Sequence, residues 1–158
     1  MLGICHIITE NAEIIIKNVV FDMNGTLSED GIIKNNVKTL LNELSKHVDI
    51  YVVTSDTFGT AKEMVKNIHA ELFIINGENS ALKKREILQK LGCAETIAIG
   101  NGFNDNEILK NAAIGIGIMG LEGLAIKAAL NCDIIAGKIE DALNLLLNTK
   151  RLTATLRN

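Results

Sequence analysis

The sequence contains no proline and no tryptophan, and only one tyrosine and four phenylalanines among 158 residues. No pyrrolidine ring can stop or kink a helix, and the core must be built from Ile, Leu, Val and Ala rather than from stacked rings. Cysteine is sparse as well. Cys5, Cys93 and Cys132 are isolated, with neither the paired spacing of a zinc site nor the even count of a disulfide framework, so a reducing interior is expected. Positive charge is not in excess: the formal net charge is -3 and the lysines are dispersed, which predicts no nucleic-acid partner. No stretch reaches the ~18 continuous apolar residues of a membrane helix, and the first ten residues lack a basic region ahead of their apolar run. No membrane association and a cytoplasmic location are the expectations. Linkers, repeats and low-complexity tracts are missing too, and a composition 47% hydrophobic and 22% charged fits one domain over 1–158.

What is present is alternation. Two β-branched runs, 3–8 and 13–22, flank the polar segment Thr9-Glu10-Asn11-Ala12 and predict an extra hairpin over 1–17 ahead of a core at about 15–147. Val37, Leu40, Leu41 and Leu44 fall at helical spacing over 35–46, and the buried-strand run 50–53 follows. The same reading predicts helices at 58–69, 80–91, 105–111, 121–130 and 138–148, with strands at 72–75, 96–99, 113–118 and 133–135, and a frayed tail after Thr149. Strands alternating with single helices predict an α/β, Rossmann-like fold: a mostly parallel sheet with helices on both faces and ligand chemistry at the carboxyl ends of its strands.

Chemistry-bearing residues follow those strands directly. Asp22-Met23-Asn24-Gly25-Thr26 closes the run Val19-Val20-Phe21, Thr54-Ser55-Asp56 closes the next strand, and Gly100-Asn101-Gly102-Phe103-Asn104-Asp105 follows the strand at 96–99. A carboxylate at such a position is ionised at neutral pH without a helper base. Taken singly, each segment reads more simply as a turn or a helix cap.

Taken together and in this order, with Lys84 on the helix at 80–91, these three segments resemble the four motifs of the haloacid dehalogenase superfamily, and over about 15–147 the chain is similar to the phosphorylation domain of P-type ATPases without a membrane segment. The resemblance implies that Asp22 is the nucleophile that attacks phosphorus and a magnesium ligand, with the backbone carbonyl of Asn24 as a second ligand. It implies further ligation by Asp105 and Asn101, and phosphate binding by Thr54, Ser55, Lys84 and the Gly25 amide. Lys83 is the alternative to Lys84. Mg2+ is the implied cofactor, and the implied activity is a phosphohydrolase or phosphotransferase working through an aspartyl-phosphate.

Two positions depart from the motifs. Asn24 stands where phosphatases of this group carry an acid/base Asp, and Asn101 where the fourth motif begins Gly-Asp. An amide neither protonates a leaving group nor deprotonates water, work typically worth about 10²–10⁴-fold, so slow turnover is predicted. Two further readings stay open: a catalytically silent relative that binds a phosphorylated ligand or protein partner, and a dinucleotide-binding module using Gly115, Gly117 and Gly120 with Glu140 about twenty residues on. The short Thr26-to-helix connection leaves no room for a cap domain. An open site predicts a phosphorylated small molecule or macromolecule as substrate, and the hairpin edge predicts a homo-oligomer. His6, His47 and His69 are assigned no role, and Glu29 and Asp30 read as a solvated turn.

Overall fold

A computed structural model describes residues 5–8 and 13–157. Its centre is a six-stranded sheet ordered β5-β4-β3-β6-β7-β8, made of β3 (Asn18–Asp22), β4 (Asp49–Thr54), β5 (Glu71–Ile74), β6 (Thr96–Gly100), β7 (Ile114–Ile118) and β8 (Ile134–Ala136). All five pairings are parallel. Every residue of β3, β6 and β7 is buried, as expected of strands covered on both faces, and this is why they read as unbroken apolar runs rather than alternating ones.

Chain order runs outward from β3 in one direction through β4 and β5, then returns to its other side for β6, β7 and β8. The reversal lies between β3 and β6, where Phe21 pairs with Ile99. At such a switch point the loops leaving neighbouring strands diverge and open a crevice beyond the carboxyl ends.

Helices cover both faces. Against one lie α1 (Asn35–Leu44), through Val37, Leu41 and Leu44, and α6 (Ile139–Leu147), through Ile139, Ala142, Leu143 and Leu146. Against the other, α3 (Ser80–Leu91) and α4 (Asn106–Asn111) bury Leu88, Ile108 and Leu109 beneath Val20, Val53 and Ala98. Two shorter helices, α2 (Ala61–Val65) and α5 (Ile126–Ala129), follow β4 and β7.

Four expectations need correction. The 13–22 run is two strands, β2 (Glu13–Ile16) and β3, because Lys17 leaves the ladder: its N–H donates to Glu95 O and its carbonyl accepts from Asp49. β2 pairs antiparallel with β1 (Cys5–Ile8), so the hairpin forms, while its predicted turn at 9–12 lies outside the described residues. α2 is shorter than 58–69, since Asp56 and Gly59 both take positive φ and turn the chain ahead of it. α5 spans four residues rather than 121–130, because Gly120 and Gly123 adopt positive φ. The tail does not fray. It forms α7 (Thr149–Leu156), with Leu152 fully buried and the helix lying against β1.

Among the described residues no helix is long and apolar enough to cross a membrane. The connection from Thr26 to α1 stays short and holds only isolated bridges, so no cap domain is inserted there.

Candidate active site

The crevice beyond β3 and β6 is organised around a buried ammonium group. α3 delivers Lys84 into the interior, 1% exposed, where Nζ donates to Asp22 Oδ1 at 2.7 Å and to Asp105 Oδ1 at 2.6 Å. Asp22 is the last residue of β3, and Asp105 closes the turn after β6. Residues 22, 84 and 105 are far apart in sequence, and the parallel sheet with its crossover helix brings them together. Lys83 turns away from these carboxylates and donates to the carbonyl of Asn76.

Each carboxylate is held by a second set of partners. Asp105 Oδ2 accepts from the backbone N–H groups of Asn101 at 3.0 Å and Gly102 at 2.8 Å, so the glycine-rich loop wraps its own acidic residue. Asp22 Oδ2 accepts from the Thr26 hydroxyl at 3.3 Å. Burial, and after it the charge of Asp105, push Asp22 up to about 7 against the opposing pull of Lys84. Burial would lower the pKa of Lys84, but Asp22 and Asp105 outweigh it and hold the ammonium above its ordinary value. One buried cation thus faces two buried carboxylates, and the trio carries a negative excess that an added positive charge would relieve.

Thr54 lies at the carboxyl end of β4, 1% exposed, and its Oγ1 accepts from the Asp56 N–H at 2.9 Å. The hydroxyl proton remains able to donate into the crevice. Asp56 in turn caps α2, its Oδ1 accepting from Ala61 N at 2.9 Å. Ser55 joins none of these contacts: it is exposed, and its hydroxyl is shared with Thr57. The Gly25 amide is not available to phosphate either, because it donates to Ser28 O at 3.0 Å. Glycine is required there for other reasons. Its φ is +78°, and a Cβ would lie 2.5 Å from Asn101 Nδ2 and 2.6 Å from Glu122 Oε2.

The two amides have distinct settings. Asn24 Oδ1 accepts from the Ser28 hydroxyl at 3.3 Å. The surrounding turn is closed by bonds to the carbonyls of Met23 and Ser28, which leaves the Asn24 carbonyl outside the turn's own hydrogen bonds. Asn101 is 7% exposed and fully engaged: Oδ1 accepts from Thr26 at 3.1 Å, Nδ2 donates to Gly123 O at 3.1 Å, and its backbone carbonyl accepts from Ala125 N at 2.8 Å. The Gly123 carbonyl can only accept, so it fixes which end of the amide faces it.

The donor set suits a hard divalent cation: carboxylate oxygens of Asp22 and Asp105 with the carbonyl oxygen of Asn24, in a site already short of positive charge. Asn101 is the exception, because its side-chain oxygen is held by Thr26. Among the described residues no three His, Cys, Asp or Glu side chains stand together as a ligating group, so water would complete the shell around Asp22, Asp105 and the Asn24 carbonyl.

Two other sequence expectations resolve simply. Glu29 pairs with Lys34 at 2.7 Å on the surface, as a solvated turn should. Gly115 and Gly117 lie inside β7 rather than in a turn after it, and a Cβ on Gly115 would collide with the Leu109 carbonyl. These glycines serve close packing, which removes the geometry of a dinucleotide fingerprint. Glu122 was missed, and no sequence signal marks it.

No known family profile matches the chain. It is 55% identical over 62 residues to an uncharacterised protein of Methanocaldococcus jannaschii, covering 39% of this chain and 67% of that one. It is 34% identical over 125 residues to a copper-transporting ATPase of Oryza sativa subsp. japonica, which is 75% of this chain but only 12% of that protein's length. Among solved structures, it is similar to the 3-deoxy-D-manno-octulosonate 8-phosphate phosphatase from Moraxella catarrhalis, determined with magnesium, phosphate and the KDO sugar. The TM-score is 0.68 at 17% identity, covering 88% of this chain and 90% of that one. A hydrolase from Legionella pneumophila, assigned to the haloacid dehalogenase superfamily, aligns with a TM-score of 0.59 at 15% identity, covering 89% and 87%.

Proposed function

We propose that this chain, whose fold is similar to those of haloacid dehalogenase-type phosphatases, is a member of that superfamily and a slow, magnesium-dependent phosphohydrolase that passes through an aspartyl-phosphate on Asp22. The observation that carries this reading is Lys84 bridging Asp22 and Asp105 in a buried crevice at the switch point. A buried carboxylate without a cap domain over it can reach a phosphoryl group, and the ammonium offsets the repulsion between the two anions.

In the first step an Asp22 oxygen attacks phosphorus, the new O–P bond forms as the ester P–O bond breaks, and the leaving oxygen takes a proton from solvent. Thr54 donates its hydroxyl proton to a phosphoryl oxygen, and Lys84 neutralises the charge gathering beside Asp22. Magnesium, held by Asp22, the Asn24 carbonyl and Asp105, would supply the remaining positive charge. In the second step water attacks the same phosphorus and Asp22 leaves as a carboxylate. Asn24 cannot act as acid or base in either step, so both run without that assistance. Substrates are phosphomonoesters, on small molecules or macromolecules.

The test is magnesium-dependent phosphate release from p-nitrophenyl phosphate, with Asp22→Asn as the dead control. Slow release that Asn24→Asp accelerates by at least about tenfold, the low side of acid/base contributions, is the expected result. The Ser28 contact that occupies Asn24 also favours a second reading, a silent relative that only binds phosphorylated ligands. Absence of turnover together with no beryllium fluoride adduct on Asp22 would establish that reading instead.

A further inference from the structure

The substituted amide at position 101 and the acid that the sequence left unmarked meet at one point. A Cβ placed on Gly25 would lie 2.5 Å from Asn101 Nδ2 and 2.6 Å from Glu122 Oε2, so the two side chains converge on the nucleophile loop from the loops after β6 and β7. Among the described residues the Glu122 carboxylate has no hydrogen bond or ion pair. An unpaired acid beside a phosphate site repels the substrate. A cation between them reverses the sign.

How Glu122 comes to be there is also visible. The 119–125 segment contains two positive-φ glycines, Gly120 and Gly123, and is tied to Asn101 on the far side of Glu122: Gly123 O accepts from Asn101 Nδ2, and Ala125 N donates to Asn101 O. Its near side is anchored by Gly120 N donating to Gly137 O. A carboxylate at 101 would set two acceptors face to face at Gly123 and two like charges together at Glu122. The amide avoids both conflicts and donates to Gly123 O.

We propose that Glu122 binds the cation of this site through a water of its shell, in place of the carboxylate missing at position 101, and that Asn101 is a positioning residue whose amide holds the Glu122 loop against the nucleophile loop. The inference rests on the magnesium dependence proposed above. Glu122 is exposed, so its side chain can turn toward a cation while its backbone stays tied down.

The experiment is calorimetric titration of magnesium chloride into the full chain for wild type, Glu122→Gln, Asn101→Ala and the double variant, with thermal unfolding in EDTA alongside. Glu122→Gln is expected to weaken magnesium binding about tenfold, in the range seen for groups that support a metal shell, with no loss of cation-free stability. Asn101→Ala should weaken binding by a similar factor, and the double variant should be no worse than either alone, because both act through one carboxylate. Unchanged magnesium affinity in Glu122→Gln overturns the inference while leaving the phosphohydrolase reading intact. Wild-type protein that takes up no magnesium overturns both, and additive losses in the double variant remove the positioning role of Asn101.

Discussion

Asp22 has the most unusual setting of any side chain described. Burial and the neighbouring Asp105 raise it to about 7, so between its unfolded value near 3.8 and 7 the folded protein binds more protons at this carboxyl than the unfolded chain does. Stability contributed by this group therefore falls as pH rises through that window. Replacing the charge removes the slope: cation-free Asp22→Asn should gain on wild type by about 2 kcal/mol more at pH 7 than at pH 5, an order-of-magnitude figure from the linkage relation. Urea denaturation at both pH values in EDTA is the measurement, and a pH-independent difference would show that Lys84 already compensates the charge. The opposite cut is harsher. Lys84→Met leaves two buried carboxylates without their shared cation and is expected to cost about 3–5 kcal/mol, visible in the same denaturation curves. Lys84 is marked only by its resemblance to a family motif, but Asp22 and the Asp105 loop were legible in the sequence because each follows a strand of the parallel sheet. Glu122 was not, since its position depends on two glycines turning a loop back across another segment. The direction of the Gly25 amide was hidden for a similar reason: its partner, Ser28, is chosen by the turn and not by the motif.

At the scale of elements, helix and strand types were readable from spacing, and the errors gathered at ends and turns. The sequence pattern predicts a helix over 121–130, whereas α5 begins at Ile126. Positive φ at Gly120 and Gly123 overrides that pattern, since those glycines free the loop to reach Asn101. β7 presents the reverse case, a strand that reads correctly despite its glycines. Gly115 and Gly117 are there because the end of α4 and the side chains of Leu124 and Cys132 approach too closely for a Cβ. Gly115→Ala must then push the Leu109 carbonyl away and separate α4 from β7, even though alanine has the better intrinsic strand and helix propensity. A loss of about 1–3 kcal/mol is expected, the usual cost of overpacking. Because α4 begins directly after Asp105, the displaced helix should also weaken magnesium binding. Equilibrium denaturation and magnesium titration of the same sample check both.

Seen whole, the molecule separates its chemistry from its reinforcement. The site lies at the carboxyl ends of the strands, whereas the β1–β2 hairpin leads through Lys17 into the amino end of β3, so it stands at the opposite end of the central strands. α7 joins it there, packing against β1 and α6 with Leu152 fully buried beside Ile16 in the larger core. A tail expected to fray is therefore a structural brace, and the sequence hid this because Leu152 and Leu156 at helical spacing in an otherwise polar segment acquire meaning only once the hairpin supplies a surface to cover. Such a division predicts that stability and chemistry can be changed independently. Leu152→Ala should destabilise the protein by about 2–5 kcal/mol, the range for a buried leucine truncated to a methyl group, a large part of the ~5–15 kcal/mol of a typical domain. It should also speed amide exchange in β2 while leaving exchange in the Asp22, Lys84 and Asp105 segments close to wild type. Magnesium affinity and turnover per folded molecule should not move. Measured together by denaturation, residue-resolved hydrogen exchange and calorimetry, a fall in magnesium affinity parallel to the fall in stability would show instead that the brace and the site unfold as one unit.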